Sequence, residues 1–463
     1  MITKTFYTES QRCKLYGYLN NTIGPNNTVG LQFRKDEGDK VGELAKKLYP
    51  EGVDLVKYSN TEKIQQTKNL RDKVLFEATA VYDNLFARAD ILVPNNDGTY
   101  NLIEVKADSY VKEDHIVDVS FQKHVFDNAG YHVKNSFVAY TNKEFVRNGE
   151  IDPHKYFKLD DVTSKIVPVD ASGLKKELPE HKIGRHCISP NECPHKDRCW
   201  AHLPHNNVTQ LFYDKKTGFE LMDKGIILIK DIESLVPKGQ GAKQREIQLA
   251  ATKGDYVHIE AEEIRKFLDI MIYPINYLDF ETYGSAVPLF DSYRPWQRVP
   301  FQYSLHIEHS DGSVVHKEFL ATERTDPRES LIDSLNKDLT PSGSIVVYNE
   351  DFEKSLLKEL GKDFSSLDVN GLLPRIVDLA LPFEKFHYYN PKQEGKYSIK
   401  TVLETLTNLS YKGLAIKDGE EAYCAYEKII NGIDRDRLIP ALREYCKLDT
   451  LAELEITKKL REI

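Results

Sequence analysis

The sequence predicts an α/β protein of two domains joined by a connecting segment. Its 463 residues exceed what one hydrophobic core usually supports. Apolar, β-prone runs alternate with helix-spaced segments on both sides of a less regular middle stretch that contains the glycine-rich run KGQGAKQ. We therefore predict an N-terminal domain over residues 1–205, a helical connecting segment over 206–270 and a C-terminal domain over 271–463.

In the N-terminal domain, the runs FEATAVYDNLFARADILV and TYNLIEVKA are rich in β-forming residues. Pro94-Asn95-Asn96-Asp97-Gly98 lies between them and has the composition of a turn, so we predict two neighbouring antiparallel strands. The next segment, IVDVSFQKHVFDNAG, has helical spacing and ends at a glycine. NSFVAYT then predicts a further strand.

In the C-terminal domain, a new α/β pattern begins near Tyr273. The predicted strands are INYLDFETY, VPFQYSLHIE, VVHKEFLA and SIVVY, and the predicted helices are RESLIDSLNKDL and DFEKSLLKEL. The final segment, DRLIPALREYCKLDTLAELEITKKLREI, predicts one or two helices.

Composition narrows the class of protein. Hydrophobic residues make up 40% and charged residues 29% of the chain, and no apolar run reaches the roughly 18 residues of a membrane span. The N-terminal sequence lacks the apolar core of a secretory signal, so we expect a cytoplasmic protein without a membrane partner. A net charge of -9 argues against a protein that coats nucleic acid. It does not distinguish an enzyme from a non-enzyme, because metal-binding carboxylates also add negative charge.

Three charged residues of the N-terminal domain converge in the predicted hairpin. Counting outward from the turn places Asp90 nearly opposite Glu104, and the two-residue period of a strand puts Lys106 on the same face as Glu104. Two carboxylates suit Mg²⁺ or Mn²⁺, and a lysine beside them can orient an attacking water molecule. The alternative is an exposed hairpin whose charges are solvated.

This arrangement resembles the PD-(D/E)XK superfamily of restriction-endonuclease-like folds, specifically its RecB-like nucleases. The resemblance implies further catalytic residues, a glutamate upstream and a Q-x-x-x-Y motif on the next helix. Glu77, with Glu43 as a second candidate, matches the upstream acid, and Gln122 matches the glutamine. Phe126 stands at the tyrosine position, which removes a hydroxyl group that would contact nucleic acid or water.

Four of the six cysteines have a spacing that indicates a metal site. Three of them lie close together and one lies far upstream: Cys13, Cys187, Cys193 and Cys199. This spacing resembles the iron–sulfur RecB-like nucleases, and the resemblance implies a [4Fe-4S] cluster on four thiolates that ties the N-terminus to the end of the domain. Zinc is the alternative, because His186 and His195 lie among the cysteines. A third interpretation is that the cysteines bind no metal.

The C-terminal domain carries a second set of acids. Asp279 and Glu281 are separated by one residue on an apolar strand and therefore share a face. Tyr445 and Asp449 share a face of the last predicted helix at spacing i, i+4. Between them, Y-N-E-D-F-E over residues 348–353 spans a strand end and a helix start.

Together these motifs resemble the tyrosine-containing DEDD exonucleases of the DnaQ-like, RNase H-like fold. The resemblance implies that Asp279, Glu281 and Asp449 bind two metal ions, Mg²⁺ or Mn²⁺, and that Tyr445 orients the attacking water. One position departs from the pattern, since Glu353 stands where the second motif ends in aspartate.

The additional methylene of Glu353 displaces its carboxylate by about a bond length, a shift to which catalysis is sensitive. Asp351 and Asp378 are alternative sources of this ligand.

The stretch from Tyr277 to Leu454 also resembles a bacterial family known as domain of unknown function 2779, through FQYSLH, GKYSIKTVL and YCKLDTLAEL. The combined resemblances imply a metal-dependent nuclease that hydrolyses DNA at two centres, in repair of DNA ends or in antiviral defence. RNA trimming by the C-terminal domain is an alternative. Another is a catalytically degenerate nucleic-acid-binding protein, which Phe126 and Glu353 favour.

Overall fold

The computed structural model describes residues 1–24, 29–174 and 177–463. The chain forms two compact units, each built from two stretches of sequence: unit 1 is Met1–Cys199 with Gly284–Gln297, and unit 2 is Trp200–Tyr283 with Arg298–Ile463. The predicted connecting segment 206–270 belongs to unit 2, and a short stretch of the predicted C-terminal domain belongs to unit 1. No helix of the described residues is long and apolar enough to cross a membrane.

Unit 1 is built on a mixed sheet of seven strands. In chain order they are β1 Ile2–Thr3, β2 Val53–Asp54, β3 Leu75–Tyr82, β4 Leu85–Pro94, β5 Tyr100–Lys106, β6 Val133–Thr141 and β7 Phe157–Asp161. The strands lie in the order β2-β3-β4-β5-β6-β7, and β1 pairs with β4. The pairs β3–β4, β4–β5 and β6–β7 are antiparallel, while β5 and β6 are parallel.

The prediction that FEATAVYDNLFARADILV is a single strand is wrong, because the run folds into β3 and β4. The chain reverses between them at Asp83, whose backbone is left-handed (φ 52°). The predicted β4–β5 hairpin is present, with Ile91 opposite Ile103 and a turn closed by Gly98 at φ 80°. This register continues to place Asp90 beside Glu104.

The helices of unit 1 are α1 Lys4–Arg12, α2 Lys14–Ile23, α3 Val29–Lys46, α4 Asn60–Asn69, α5 Glu113–Asn128 and α6 Pro153–Tyr156, with α7 Lys196–Trp200 at its end. The predicted helix IVDVSFQKHVFDNAG corresponds to α5, which packs on the sheet through apolar side chains such as Phe121 and Val125. This packing turns the polar side of α5 toward β5, which positions the candidate site of unit 1.

Unit 2 is built on a mixed sheet of five strands with a separate small hairpin. In chain order the strands are β8 His258–Ile259, β9 Ile275–Tyr283, β10 Val299–Glu308, β11 Val314–Leu320, β12 Ile345–Val347, β13 Ile376–Asp378 and β14 Tyr388–Tyr389. The large sheet has the order β11-β10-β9-β12-β13, and β8 pairs with β14. Strands β9, β10 and β11 are antiparallel neighbours, whereas β12 and β13 run parallel to β9.

The helices of unit 2 are α8 Lys215–Asp223, α9 Ala242–Gly254, α10 Ala261–Leu268, α11 Arg328–Asp338, α12 Glu350–Asp363, α13 Val369–Leu372, α14 Leu381–Glu384, α15 Ile399–Leu406, α16 Gly419–Ile430 and α17 Arg435–Arg461. The predicted C-terminal helical segment is one helix of 27 residues, α17, which tolerates Pro440 near its start. It packs against β9 and β10, with its buried face toward the sheet.

The stretch 284–297 follows β9 in the chain and folds as part of unit 1. Its anchor is Glu37 on α3, whose side chain is completely buried. Glu37 accepts hydrogen bonds from Ser285 Oγ at 2.7 Å and from the backbone N–H of Ala286 at 2.5 Å, and it pairs with Lys40 at 2.6 Å. A buried carboxylate with three donors holds this stretch in place.

We expect Glu37→Ala to reduce the free energy of unfolding by about 2 to 4 kcal/mol, because it leaves two buried donors without an acceptor. Urea titration of the full chain measures the change. The control is Asp39→Ala, an exposed acid on the same helix. Equal loss of stability in both variants contradicts the anchoring role of Glu37.

Candidate functional site

Three carboxylates of unit 2 converge at the centre of its sheet. Asp279 and Glu281 lie on β9, and Asp449 lies on α17. One oxygen from each lies within 4.8 Å of the others, and among the described residues this is the group suited to hold a metal ion. Glu281 and Asp449 are buried, while Asp279 keeps partial exposure. The structure therefore brings together the three acids that the sequence analysis grouped.

Local geometry explains this convergence. β9 is the central strand, between β10 and β12, so the side chains of its alternate residues emerge in the middle of the sheet. α17 crosses β9 and turns Asp449 toward that face. Cys446, one turn before Asp449, places its thiol 3.7 Å from Asp279 Oδ2.

Of the three candidates for the fourth acid, Glu353 is the buried one. It lies in the first turn of α12 and is 3% exposed. Its charge acts on the carboxyl group of Asp279. Asp351 is exposed, and Asp378 accepts hydrogen bonds from the backbone N–H groups of Asn349 and Ala380, both at 2.9 Å.

Glu453 is a fifth acid at this cluster that the sequence analysis missed. It follows Asp449 by one helical turn, so the i, i+4 spacing was a signal that could have identified it. Its side chain is buried, and the charges of Asp279, Glu353 and Asp449 act on it. We call these five residues the acidic cluster of unit 2: Asp279, Glu281, Glu353, Asp449 and Glu453.

Two tyrosines and a lysine border the acidic cluster. Tyr411 donates a hydrogen bond from its hydroxyl to Asp449 Oδ1 at 2.6 Å. Tyr445, the predicted catalytic tyrosine, is buried with its ring centre 6.2 Å from that of Tyr411. The Lys400 ammonium lies over both rings, 5.1 Å and 5.6 Å from their centres. Tyr411 and Lys400 come from sequence-distant segments, so no local spacing indicated them.

Burial and mutual repulsion raise the pKa values of the acidic cluster. Burial raises the pKa of Asp449 to about 7 and that of Glu353 to about 8. For Asp279, burial and the charges of Asp449 and Glu281 raise the pKa well above its usual value. Like charges in a low-dielectric interior favour protons or bound cations.

In unit 1, Asp90, Glu104 and Lys106 lie together, as the sequence analysis predicted. Asp90 accepts a hydrogen bond from the backbone N–H of Val105 at 2.7 Å. Lys106 Nζ lies 2.8 Å from Glu104 Oε1. Gln122, on α5, donates to the other oxygen of Glu104. The fully buried Glu104 is therefore the centre of this group.

Two residues that the sequence analysis missed complete the group. Lys4, on α1, contacts Glu104 Oε1 at 2.5 Å, and Asp118, on α5, contacts Lys106 at 2.6 Å. Burial opposes ionisation of Glu104, but the ammonium groups of Lys106 and Lys4 hold its pKa below the usual value. Asp90 lacks such a partner, and burial together with the charge of Glu104 raises its pKa to about 7.

Asp90 and Glu104 line an open cleft with a volume of about 590 Å³, and the predicted upstream acids, Glu77 and Glu43, line it too. Glu77 pairs with Arg88 at 3.0 Å and with Lys63 at 3.3 Å, and its backbone adopts a strained φ of 61°. Glu43 lies exposed at the edge of the cleft. Phe126 is completely buried in the core of unit 1, so its side chain is a packing residue.

The four predicted cysteine ligands, Cys13, Cys187, Cys193 and Cys199, line one small pocket with apolar neighbours. All four are free thiols, and burial raises the pKa of Cys193 and Cys199. His186 and His195 also line the pocket, and a ring nitrogen of His195 lies 2.6 Å from Asn20 Oδ1. Thiol groups are ligands that soft metals prefer, and the metal centre at this pocket stays a prediction.

Comparison with known proteins locates one family match in unit 2. Residues 276–398 match the family described as "Domain of unknown function (DUF2779)". The matched range includes β9 and α12, and hence Asp279, Glu281 and Glu353. It ends before α17, which carries the remaining acids of the acidic cluster.

Three curated relatives are similar to part of the chain. "Uncharacterized protein UU173" of Ureaplasma parvum is 27% identical over 218 residues, which cover 40% of this chain and 31% of that protein. "Uncharacterized protein MG366 homolog" of Mycoplasma pneumoniae is 26% identical, covering 39% and 31%. "Uncharacterized protein MG366" of Mycoplasma genitalium is 25% identical, covering 40% and 32%. The matched part spans about a third of the length of these relatives.

The raised carboxyl pKa values predict a pH-dependent stability in the absence of cations. Glu353 holds its proton more tightly in the folded chain than at its usual pKa of 4.5. Its stabilising contribution is therefore full below about 4.5 and is lost as the pH rises through about 8. In EDTA, we expect the melting temperature of Glu353→Gln to rise relative to wild type as the pH increases from about 4.5 to about 8, and the difference to level off above that range.

Thermal denaturation at a series of pH values measures this difference. The control is Glu444→Gln, an exposed acid on α17, which should follow the wild type at every pH. A constant difference between Glu353→Gln and wild type contradicts the raised pKa.

Proposed function

We propose that this chain is a metal-dependent nuclease that hydrolyses phosphodiester bonds, with the acidic cluster of unit 2 as its main centre. The observation that carries the proposal is the convergence of Asp279, Glu281 and Asp449 within 4.8 Å in a largely buried site. Buried carboxylates without basic side chains in contact require a compensating positive charge. Hard divalent cations such as Mg²⁺ or Mn²⁺ prefer oxygen ligands of this kind.

The topology of unit 2 supports the RNase H-like, DnaQ-like interpretation. A central strand carries the first two acids, antiparallel strands lie on one side of it and parallel strands on the other. In this proposal Asp279, Glu281 and Asp449 hold the cations, and Tyr445 orients the water that attacks phosphorus. Bound cations stabilise the charge that develops on the attacking and leaving oxygens.

Tyr411 and Lys400 have distinct parts in this proposal. The Tyr411 hydroxyl holds Asp449 in one orientation through its hydrogen bond. Lys400 lowers the local negative potential, because its charge acts on both Glu281 and Asp449. A phosphate group that approaches the acidic cluster would meet this ammonium group at the border.

We further propose that unit 1 is a RecB-like PD-(D/E)XK domain whose cleft binds nucleic acid. Asp90, Glu104 and Lys106 have the required residue types and lie together on adjacent strands. Lys106 and Gln122 there orient Glu104, and Lys106 would also orient a water molecule. The engagement of both Glu104 oxygens by lysine and glutamine favours, as a second candidate for unit 1, binding without cleavage.

The thiol groups of the cysteine pocket are the ligand type of a structural metal centre. We propose a [4Fe-4S] cluster on Cys13, Cys187, Cys193 and Cys199, with zinc as the alternative. When bound, the metal centre supplies a cross-link between the two ends of the first stretch of unit 1, Met1–Cys199.

DNA is the proposed substrate, with RNA as the alternative, and end processing in repair or antiviral defence is the proposed role. The whole protein's activity in a cell is inferred from the resemblance in fold and chemistry. Matched DNA and RNA oligonucleotides of one sequence separate the two substrates.

We expect the full chain, purified anaerobically, to cleave end-labelled DNA in the presence of Mn²⁺ or Mg²⁺. Asp279→Asn should reduce the rate about 10³-fold, because cation ligation supplies several kcal/mol to the transition state. Lys106→Ala should remove a separate part of the product ladder if unit 1 also cleaves. Single- and double-stranded substrates are compared on sequencing gels.

The matched control is Glu444→Gln, which changes an exposed acid on the helix that carries Asp449. It should cleave at the wild-type rate. Intact DNA and intact RNA with the wild-type protein and every variant contradict the nuclease proposal and favour a binding role.

The cysteine pocket is tested by the metal content of anaerobically purified protein. We expect about four iron atoms per chain and a visible absorption band that bleaches on reduction. Cys193→Ser should lose both, whereas Cys424→Ala, which changes a buried cysteine on α16, should keep them. One zinc per chain supports the alternative, and a wild-type protein without either metal contradicts the proposal.

A further inference from the structure

Two buried carboxyl oxygens in the acidic cluster have no hydrogen-bond partner within the described part of the chain. They are Oε2 of Glu353 and Oε2 of Glu453. The two residues are 3% and 1% exposed, so bulk water does not solvate them. An unpaired polar atom in such a place costs folding free energy. These oxygens therefore need a partner from outside the described chain.

Three buried glutamates outside the acidic cluster are each paired with a basic side chain. Glu37 pairs with Lys40, Glu104 with Lys4 and Lys106, and Glu308 with Arg461 at 2.5 Å. Glu453 differs, because the charged groups that act most strongly on it are all acids. Its environment is therefore that of a cation ligand rather than of an internal ion pair.

The position of Glu453 agrees with this environment. It lies one turn after Asp449 on the buried face of α17, so both carboxyl groups point to the same side of the helix. Glu353 approaches from the start of α12, which follows strand β12 beside β9. The charge of Glu353 acts on Asp279, and the charge of Asp279 acts on Glu453.

We propose that Glu453 is a ligand of a divalent cation at the acidic cluster. Glu353 binds the cation together with Glu453, so this pair adds to the ligands Asp279, Glu281 and Asp449. The inference rests on the proposed function in that it requires cations at the acidic cluster. In this proposal, Glu353 stands where the DEDD pattern has the shorter aspartate, and Glu453 supplies a further carboxylate beside it. Oxygen ligands of this type suit Mg²⁺ or Mn²⁺.

The test is Mn²⁺ binding to the full chain without nucleic acid, by titration calorimetry and by electron paramagnetic resonance. The difference between wild type and Asp279→Asn defines the Mn²⁺ bound at the acidic cluster. We expect Glu453→Gln to weaken this binding at least about tenfold, a loss of one ligand of several. The matched control, Glu444→Gln on the same helix, should bind Mn²⁺ as the wild type does.

The folding of the variant is checked separately. Glutamine has the shape of glutamate and removes a buried acid, so Glu453→Gln should melt in EDTA at or above the wild-type temperature. If it does not fold, Glu453→Asp, which shortens the side chain by one methylene, is titrated instead and should also bind Mn²⁺ more weakly.

Wild-type Mn²⁺ affinity in the folded Glu453 variant overturns the inference. Equal Mn²⁺ binding by wild type and Asp279→Asn also overturns it. Glu453-dependent Mn²⁺ binding by a protein that leaves DNA and RNA intact supports the inference and refutes the nuclease function.

Discussion

Electrostatic repulsion among buried carboxylates is the constraint on which unit 2 depends. The sheet and α17 hold the carboxyl groups of Asp279, Glu281 and Asp449 within 4.8 Å of one another. In an interior of low dielectric constant, negative charges at this distance repel each other strongly. The raised pKa values express this cost. Protons relieve it in the cation-free chain, and cations would relieve it without loss of charge. In the proposed function, this cost is the price of an oxygen-lined site for cations.

Unit 1 meets the same problem with its own side chains. Glu104 is as deeply buried as Glu453 of unit 2, but Lys4 and Lys106 contact one of its oxygens and Gln122 the other. Its charge is therefore balanced within the chain. The acidic cluster of unit 2 lacks such ion pairs among the described residues, which makes it the stronger candidate for a cation site.

The sequence predicted which acids lie side by side within one strand, one helix or one hairpin, because the strand and helix periods and the position of the turn fix which side chains share a face. Counting from the turn placed Asp90 beside Glu104, and the strand period paired Asp279 with Glu281. The i, i+4 spacing from Asp449 to Glu453 carried the same kind of information. The turn inside FEATAVYDNLFARADILV was missed because its β-forming residues continue on both sides of Asp83-Asn84.

The sequence by itself determined the long strands and helices that flank the acids, apart from the division of FEATAVYDNLFARADILV, and the local pairs of acids, since these depend on residue type and on the period of each element. Only the tertiary structure decided that Glu353, rather than Asp351, faces the acidic cluster, because the rotation of α12 depends on how it packs. It also decided that Lys4 reaches Glu104 and that stretch 284–297 folds with unit 1. Contacts between distant segments depend on packing, and no local period encodes them.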